Sequence, residues 1–283
     1  EADFNFSYNS EILNIDSRVS LHEENIALED VLLRILSDDI IYQVSGNYLI
    51  LMKPKTKEEN SSRNTKYEIR GYVYDRETGN SLVNVSVFDA SGFESVLSDS
   101  TGFYNLTLTS RYEQINIQYS KNLFSDTLII IQPASQNMDV FLNRRKAVTS
   151  TEPLEKMKSM ELTPVEELPI VRKLVSQEQI IQSNNIKVTK SRIAQVSLWP
   201  GIGTNLKMSG FTENNISLNV FAGYSQGLKG AEIGGFVNIN RQNVTGFQAG
   251  GLGNVTGGIT TGVQVGGLFN HNKSEVTGVQ LAG

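Results

Sequence analysis

The first 54 residues combine patterns typical of strands with the pattern of a helix. The stretch FNFSYNSEIL alternates apolar and polar positions, and two later apolar runs flank a Ser-Gly-Asn turn. Such patterns predict strands and a hairpin. Between them, apolar residues recur at the three- and four-residue spacing of a helix. These residues are Leu28, Val31, Leu32 and Ile35. We therefore predict a small α+β module over residues 1–54.

Residues 67–143 contain many short alternating stretches that are separated by turn residues. Short strands at this regular spacing are typical of a β-sandwich, which we predict for the segment. Two of the turns contain Gly79 and Gly102, where a positive φ favours glycine. The carboxylates of Asp75 and Asp99 can accept hydrogen bonds from backbone amides of the turns.

Two polar segments separate the structured parts of the chain. Residues 55–66 carry no apolar run, which predicts a linker. Residues 144–190 carry three prolines and mixed charge in the stretch TSTEPLEKMKSMELTPVEELP, which predicts a tether, and a short helix is predicted after Pro169. Such a tether would let the two N-terminal modules swing relative to the residues that follow.

Residues 191–283 repeat one glycine-rich phrase every 16 residues. A period this regular predicts one structural unit for each repeat. Within each repeat, one set of alternating positions is apolar and the other set is small or amide. The positions that define the repeat are Gly230, Glu232, Gly246, Gln248, Gly262, Gln264, Gly278 and Gln280.

Alternation with an apolar outer face and a polar inner face is typical of a transmembrane β-barrel. We therefore predict that residues 191–283 form antiparallel strands of an outer-membrane barrel, with Trp199 and Tyr224 as anchors at the membrane interface. The alternative is a soluble β-solenoid, whose apolar face would point inward. The barrel is preferred because a thin, glycine-rich apolar face would make a poor dry core. About six strands fit, and the smallest single-chain barrels have about eight. We therefore expect the native chain to continue beyond Gly283, and the strand number stays open.

Each structured segment resembles a known family. Residues 1–54 resemble the short secretin/TonB N-terminal domain in FSYNSEIL, VSLHEENIALEDVLLRIL and YQVSGNYLILM. Residues 67–143 resemble the carboxypeptidase regulatory-like domain, a transthyretin-like sandwich. The residues that carry this second resemblance are Gly71, Val73, Asp75, Thr78, Gly79, Leu82, Val85, Val87, Asp99, Gly102, Phe103, Tyr104 and Leu106. Residues 191–283 resemble bacterial surface proteins that are built from Gly-x-Gln-x-Gly-Gly-Leu-x-Asn repeats.

These resemblances imply a modular envelope protein of the Bacteroidota type. Domains of the first family are periplasmic modules that bind other proteins and catalyse nothing, and domains of the second family are not peptidases. The repeat family is often found behind the same two modules. The resemblance therefore implies a location more than it implies an activity.

Composition argues against several chemical classes. The chain has 25 Lys and Arg residues against 30 Asp and Glu residues, which gives no electrostatic reason to expect nucleic-acid binding. It has no cysteine, and therefore no disulfide, thiolate metal site or thiol nucleophile. The sequence also lacks an apolar run long enough for a membrane-spanning helix.

Candidate catalytic chemistry is sparse. The two histidines, His22 and His271, lie in no metal-binding spacing, and we interpret both as surface residues. The stretch GGLGNVTGG lacks the Gly-x-Gly-x-x-Gly spacing of a dinucleotide loop. The adjacent Glu166 and Glu167 are interpreted as solvated charge. We expect no catalytic, cofactor-binding or metal-binding residue.

These observations favour a non-enzymatic outer-membrane protein with residues 1–143 in the periplasm. We expect it to be an accessory or scaffold subunit of an envelope complex for transport or assembly. The expected partners are other envelope proteins and outer-membrane lipid, and no nucleic acid. One alternative is a TonB-linked transport or signalling component, and another is a surface β-solenoid adhesin.

Overall fold

The computed structural model describes residues 5–10, residue 12 and residues 26–55, 65–145 and 164–283. Most of these residues belong to β-strands, and the helices are short. In these ranges no helix is long and apolar enough to cross a membrane.

The first described elements follow the predicted order of strand, helix and hairpin. They are β1 (Asn5–Ser7), α1 (Leu28–Ile35), β2 (Ile41–Ser45) and β3 (Tyr48–Met52). β2 and β3 pair antiparallel around Gly46, which has a φ of +61°, and β1 pairs parallel with β3. Leu32 of α1 packs against Leu49 and Leu51 of β3, and together they form a small apolar core.

Residues 65–145 form two four-stranded sheets. The strands are β4 (Lys66–Asp75), β5 (Ser86–Asp89), β6 (Ser95–Leu97), β7 (Phe103–Thr109), β8 (Ile115–Ser120), β9 (Thr127–Ile131), β10 (Gln136–Asn137) and β11 (Val140–Leu142). One sheet has the order β10-β4-β11 with β7 paired on β4, and the other has the order β6-β5-β8-β9. Ile69, Leu106 and Ile117 from both sheets meet in one buried cluster. The transthyretin-like identity of this two-layer structure stays a prediction.

Two turns of this region have the predicted conformation. Gly79 and Gly102 have φ values of +71° and +84°. The carboxylates of Asp75 and Asp99 accept the backbone N–H two residues further on, at 3.0 and 2.8 Å. The predicted roles of these four residues are confirmed.

The N-terminal hairpin is attached to the second of these sheets by buried hydrogen bonds. Ser45 Oγ donates to Gln118 Oε1 at 2.7 Å, and Gln114 Nε2 donates to the carbonyl of Leu51 at 3.0 Å. The first module and the two-layer region therefore share an ordered contact.

Residues 164–190 pack against their neighbours instead of forming the predicted tether. They contain a 3₁₀ helix (Val165–Glu167), α2 (Pro169–Leu174) and α3 (Gln177–Asn185). Asn185 Nδ2 donates to the carbonyl of Asn84 at 2.7 Å, and Gln182 Oε1 accepts from Ser95 Oγ at 2.8 Å. Because these contacts fix α3 against the two-layer region, the prediction of freely swinging modules is wrong for this part of the chain.

The repeat region forms two parallel sheets. The long sheet contains β13 (Ile202–Gly203), β12 (Lys190–Trp199), β14 (Thr212–Asn219), β16 (Gly227–Gly234), β18 (Val244–Gly250), β20 (Thr260–Gly266) and β22 (Val276–Ala282). The short sheet contains β15 (Ala222–Ser225), β17 (Val237–Asn240), β19 (Gly253–Thr256) and β21 (Phe269–Asn272). β13 pairs antiparallel with β12, and the other neighbours pair parallel. Each repeat is therefore one coil of a β-solenoid.

This pairing corrects the predicted antiparallel barrel. Gly230, Gly246, Gly262 and Gly278 occupy the same register position on four neighbouring parallel strands. Each alternating stretch was predicted to form one barrel strand. In the structure it forms a strand of the long sheet, then a corner, and then a strand of the short sheet. The solenoid alternative is confirmed, because stacking one coil on the next aligns each residue with its equivalent in the following repeat.

The stacking also explains two of the repeated glycines. Gly246 and Gly262 have φ values of +121° and +132°. A Cβ atom on either residue would lie 2.0 Å from the carbonyl oxygen of the equivalent glycine one coil earlier. Only glycine fits such an approach of one backbone to another.

Candidate binding surface

The space between the two sheets is filled with amide side chains instead of an apolar core. Gln248 and Gln264 are buried, and Gln264 Nε2 donates to Gln248 Oε1 at 2.7 Å. Gln280 continues the row by donating to Gln264. Parallel, in-register stacking allows each amide to pair with the identical amide of the adjacent coil. The structure thus brings the predicted repeat residues together as one ladder.

A second ladder of asparagines was not predicted as a site. Asn238 Nδ2 donates to Asn254 Oδ1 at 2.9 Å, and Asn254 Nδ2 donates to Asn270 Oδ1 at 2.7 Å. The same Nδ2 groups donate to the carbonyls of Ala249 and Val265 at 2.8 and 2.9 Å. Recurrence of asparagine at one position of each repeat was the sequence signal for this ladder.

Glu232 is a buried carboxylate at the start of the glutamine ladder. Its Oε1 accepts from Asn219 Nδ2 at 2.9 Å, and its Oε2 accepts from Asn240 and Gln248 at 2.7 and 2.8 Å. Three amide donors therefore converge on one side chain that is 1% exposed. Hydrogen bonds to a charged acceptor are stronger than those between neutral groups, which compensates for burial of the charge.

The outer face of the short sheet is apolar, and the chain covers it with its own helices. Side chains of the 3₁₀ helix and α2 pack directly on this face. The buried cluster consists of Val165, Val171, Val175, Tyr224, Val237, Ile239 and Val255. Residues 164–175 thus keep the part of this face that β15, β17 and β19 form out of water.

The outer face of the long sheet is also apolar, and no described residue covers it. We call the outward side chains of β14, β16, β18, β20 and β22 the apolar face. Its apolar residues are Ile216, Leu218, Ala231, Ile233, Phe247, Ala249, Val263, Val265, Val279 and Leu281, and it is bordered at one register position by Lys229, Thr245, Thr261 and Thr277. Ile233 is 54% exposed, Phe247 39% and Val263 36%. The face continues at the corner of the coil into Phe221 and Phe236, whose ring centroids are 6.2 Å apart.

The orientation of the two faces combines features of both predictions. The apolar set points outward and the amide set inward, as expected for the barrel, yet the strands form a solenoid. The expectation that a solenoid would turn its apolar face inward is wrong. Amide ladders satisfy the hydrogen bonds of the interior, so an apolar core is not needed there.

The two predicted interface anchors occupy different environments. Trp199 lies at the end of β12 and is 37% exposed, whereas Tyr224 is 1% exposed. The Tyr224 hydroxyl donates to Glu166 Oε1 at 2.6 Å, and burial raises the pKa of this phenol far above its usual range. Tyr224 is therefore a core residue, and its predicted role as an anchor is wrong.

Glu166 was interpreted as solvated charge, and this interpretation is also wrong. The residue is 5% exposed and forms an ion pair with Arg241 in addition to its bond with Tyr224. Arg241 Nη1 donates to the carbonyl of Gly210 at 3.1 Å. The group therefore connects the covering helix to the solenoid, and it is structural.

The structure describes one of the two histidines. His271 is exposed on β21, and His22 lies outside the described residues. Across the ranges that the structure describes, no three His, Cys, Asp or Glu residues are close enough to hold a metal ion.

A buried charged contact joins the two-layer region to the solenoid. Lys190 Nζ donates to the carbonyl oxygens of Asp89 and Gly92, and it lies 5.0 Å from the centre of the Phe93 ring. Burial raises the pKa of the Asp89 carboxyl to about 6, and burial lowers the pKa of Lys190 to about 8. The positive charge of Lys190 opposes the rise in the pKa of Asp89, and the negative charge of Asp89 opposes the fall in the pKa of Lys190. Their attraction therefore offsets part of the cost of burying the two charges.

Comparisons with known proteins leave the family open. No protein-family model matches the chain, and no curated protein matches it. A solved mutant of the shaft pilin SpaA from Lactobacillus rhamnosus GG is similar, with 10% identity and a TM-score of 0.23. The match covers 37% of this chain and 58% of the pilin. A similarity this low supports no conclusion about fold or function.

Proposed function

We propose that this chain is a non-enzymatic interaction scaffold of the cell envelope whose apolar face is covered by a partner protein. The observation that carries the proposal is the contrast between the two outer faces of the solenoid. The short-sheet face is buried under α2 and the 3₁₀ helix, whereas the apolar face has no cover among the described residues. Continuous exposed apolar surfaces are typical of interaction sites.

The extent of the apolar face supports this interpretation. The two apolar side chains on each of the five strands extend over about four residues, so with strands about 4.8 Å apart and a rise of about 3.3 Å per residue they cover roughly 300 Å² in projection. The largest apolar patches on monomeric proteins are about 300–600 Å² and are often functional. The apolar face reaches that range even before the corner phenylalanines are included.

The proposed location depends on the sequence resemblance of residues 1–143 to periplasmic modules. We propose that the chain acts at the outer membrane as an accessory or scaffold subunit of a transport or assembly complex.

Site-specific photocrosslinking in cells tests the proposal. A photoreactive residue replaces Val263 on the apolar face or, as a control, Gln242 in an exposed turn of the full chain. We expect a discrete crosslinked protein band from position 263 and none from position 242. Absence of any protein adduct at position 263, or labelling of lipid alone, would contradict the proposal.

A surface adhesin is the second candidate, and the solenoid architecture favours it. An adhesin would be exposed outside the cell, where externally added protease reaches it. Degradation of the chain in intact cells supports the adhesin, and protection until the outer membrane is permeabilised supports the periplasmic scaffold.

A further inference from the structure

We propose that the partner on the apolar face is a second copy of this chain, packed face to face through the same side chains. This inference rests on the proposed function and names the partner. It follows from the extent, the shape and the charge of the apolar face.

The extent of the face fits a dimer interface. A stable interface buries about 800 Å² of accessible surface on each partner. The accessible area of a surface formed by protruding side chains exceeds its projection, and Phe221 and Phe236 enlarge the face at the corner. Both rings are about half exposed, at 46% and 51%. Seven of the ten residues of the apolar face are also between 36% and 56% exposed, so one copy offers apolar area of the order that a stable twofold contact needs.

The shape of the face is complementary to itself. Parallel strands in register give straight rows of side chains, and two such sheets pack face to face about 10 Å apart. Phe247 lies across from Ala231 in the register of β16 and β18, and Ala249 follows it on the same side of β18. Each copy therefore has a protruding Phe247 ring and, beside it, small alanines that leave space for a ring. In a twofold dimer, the Phe247 ring of each copy can pack against the alanines of the other copy.

The charge of the face also favours a second copy. The basic residue that borders the face on β16, Lys229, forms an ion pair with Glu213 at 2.7 Å, so it brings no unpaired charge to a contact between two copies. A protein that lies on a membrane surface typically presents several basic residues beside its apolar face. Here the residues at the register position of Lys229 on β18, β20 and β22 are threonines.

Sedimentation equilibrium of the full chain without detergent tests the proposal. Val263→Glu places a charge in the middle of the face, and Val83→Glu makes the same change at a 44% exposed position outside it. An unpaired charge buried in an interface is strongly destabilising, so Val263→Glu should raise the dimer dissociation constant about 100-fold. Val83→Glu should leave the dissociation constant unchanged. Matching circular dichroism spectra and melting temperatures would show that both variants fold.

A second readout does not depend on the introduced charge. The chain has no cysteine, so Val263→Cys and Val83→Cys each provide one thiol per copy. A short bis-maleimide should join two chains through position 263 and not through position 83.

Several results would overturn the second copy as partner. They are a monomeric wild-type chain, a dimer that Val263→Glu leaves intact, and a chain that floats with phosphatidylethanolamine–phosphatidylglycerol vesicles as a monomer. A monomer whose position 263 still crosslinks to a different protein in cells would refute the dimer and leave the proposed function standing. A monomer without any such adduct would refute both.

Discussion

At the scale of single residues, Glu232 differs from the equivalent residues of the later repeats for a physical reason. It occupies the register position of Gln248 and Gln264, but it lies where three amide donors converge. A carboxylate has two acceptor oxygens and no donor, whereas a glutamine would present an NH₂ group to one of these donors. The charge therefore fits the first position of the ladder.

Replacement of this carboxylate tests that explanation. Glu232→Gln should lower the free energy of unfolding by about 1–3 kcal/mol, because it leaves a buried donor without an acceptor. Glu213→Gln is the matched control, because Glu213 forms an ion pair with the exposed Lys229. That control should cost less than about 1 kcal/mol. Urea unfolding of both variants measures these changes in the free energy of unfolding. Equal changes would show that Glu232 has no special role in the ladder.

At the scale of elements, the solenoid has two apolar outer faces, one covered by the same chain and one exposed. α2 and the 3₁₀ helix bury the face of the short sheet, and the apolar face of the long sheet stays open. An apolar side chain buried between the short sheet and its covering helix should therefore contribute more to the free energy of unfolding of one chain than a side chain on the apolar face.

A valine-to-alanine substitution at a covered position and at a position of the apolar face measures this difference. Val171→Ala removes two methyl groups from a fully buried position of α2 and should cost about 1–3 kcal/mol. Val263→Ala on the apolar face should change the free energy of unfolding by less than about 0.5 kcal/mol in dilute, monomeric protein. Thermal unfolding at low protein concentration provides the comparison. A large cost at Val263 under these conditions would mean that the same chain covers the face.

At the scale of the whole molecule, buried polar contacts join the regions into one body. Lys190, on the first strand of the solenoid, donates to the backbone carbonyl of Asp89 in the two-layer region, and the buried Asp89 carboxyl lies beside this contact. Burial raises the pKa of Asp89 from 3.8 to about 6. Between these values the folded chain holds a proton that the unfolded chain has lost, so the contribution of Asp89 to stability falls as pH rises.

A pH series tests the raised pKa of the Asp89 carboxyl. As pH rises from about 4 to about 6, the wild-type chain should lose stability relative to Asp89→Asn, because asparagine does not ionise. Asp99→Asn is a control of opposite sign, since hydrogen bonds from Thr101 lower the pKa of Asp99. Wild type should gain stability relative to that variant as pH rises through the acidic range. Denaturant unfolding at several pH values gives both differences, and a pH-independent difference for Asp89→Asn would show that folding does not raise the pKa of the Asp89 carboxyl.

The sequence by itself determined the repeat, the alternation and the turns. The 16-residue period identified the structural unit, and the two sets of alternating residues identified the two faces. Positive φ at Gly79 and Gly102 followed from turn chemistry. These features are local, because they depend on the covalent spacing of side chains and on the backbone freedom of glycine.

Only the tertiary structure decided how strands pair and which polar residues are buried. Alternation is the same in parallel and antiparallel strands, so it could not separate a solenoid coil from a barrel strand. Glu166 and Tyr224 are far apart in sequence, and their burial depends on helices that fold back onto the short sheet. The two faces of the strands could be predicted from the sequence, because the direction of each side chain is set residue by residue. The pairing of the strands could not be predicted, because it depends on contacts between distant parts of the chain.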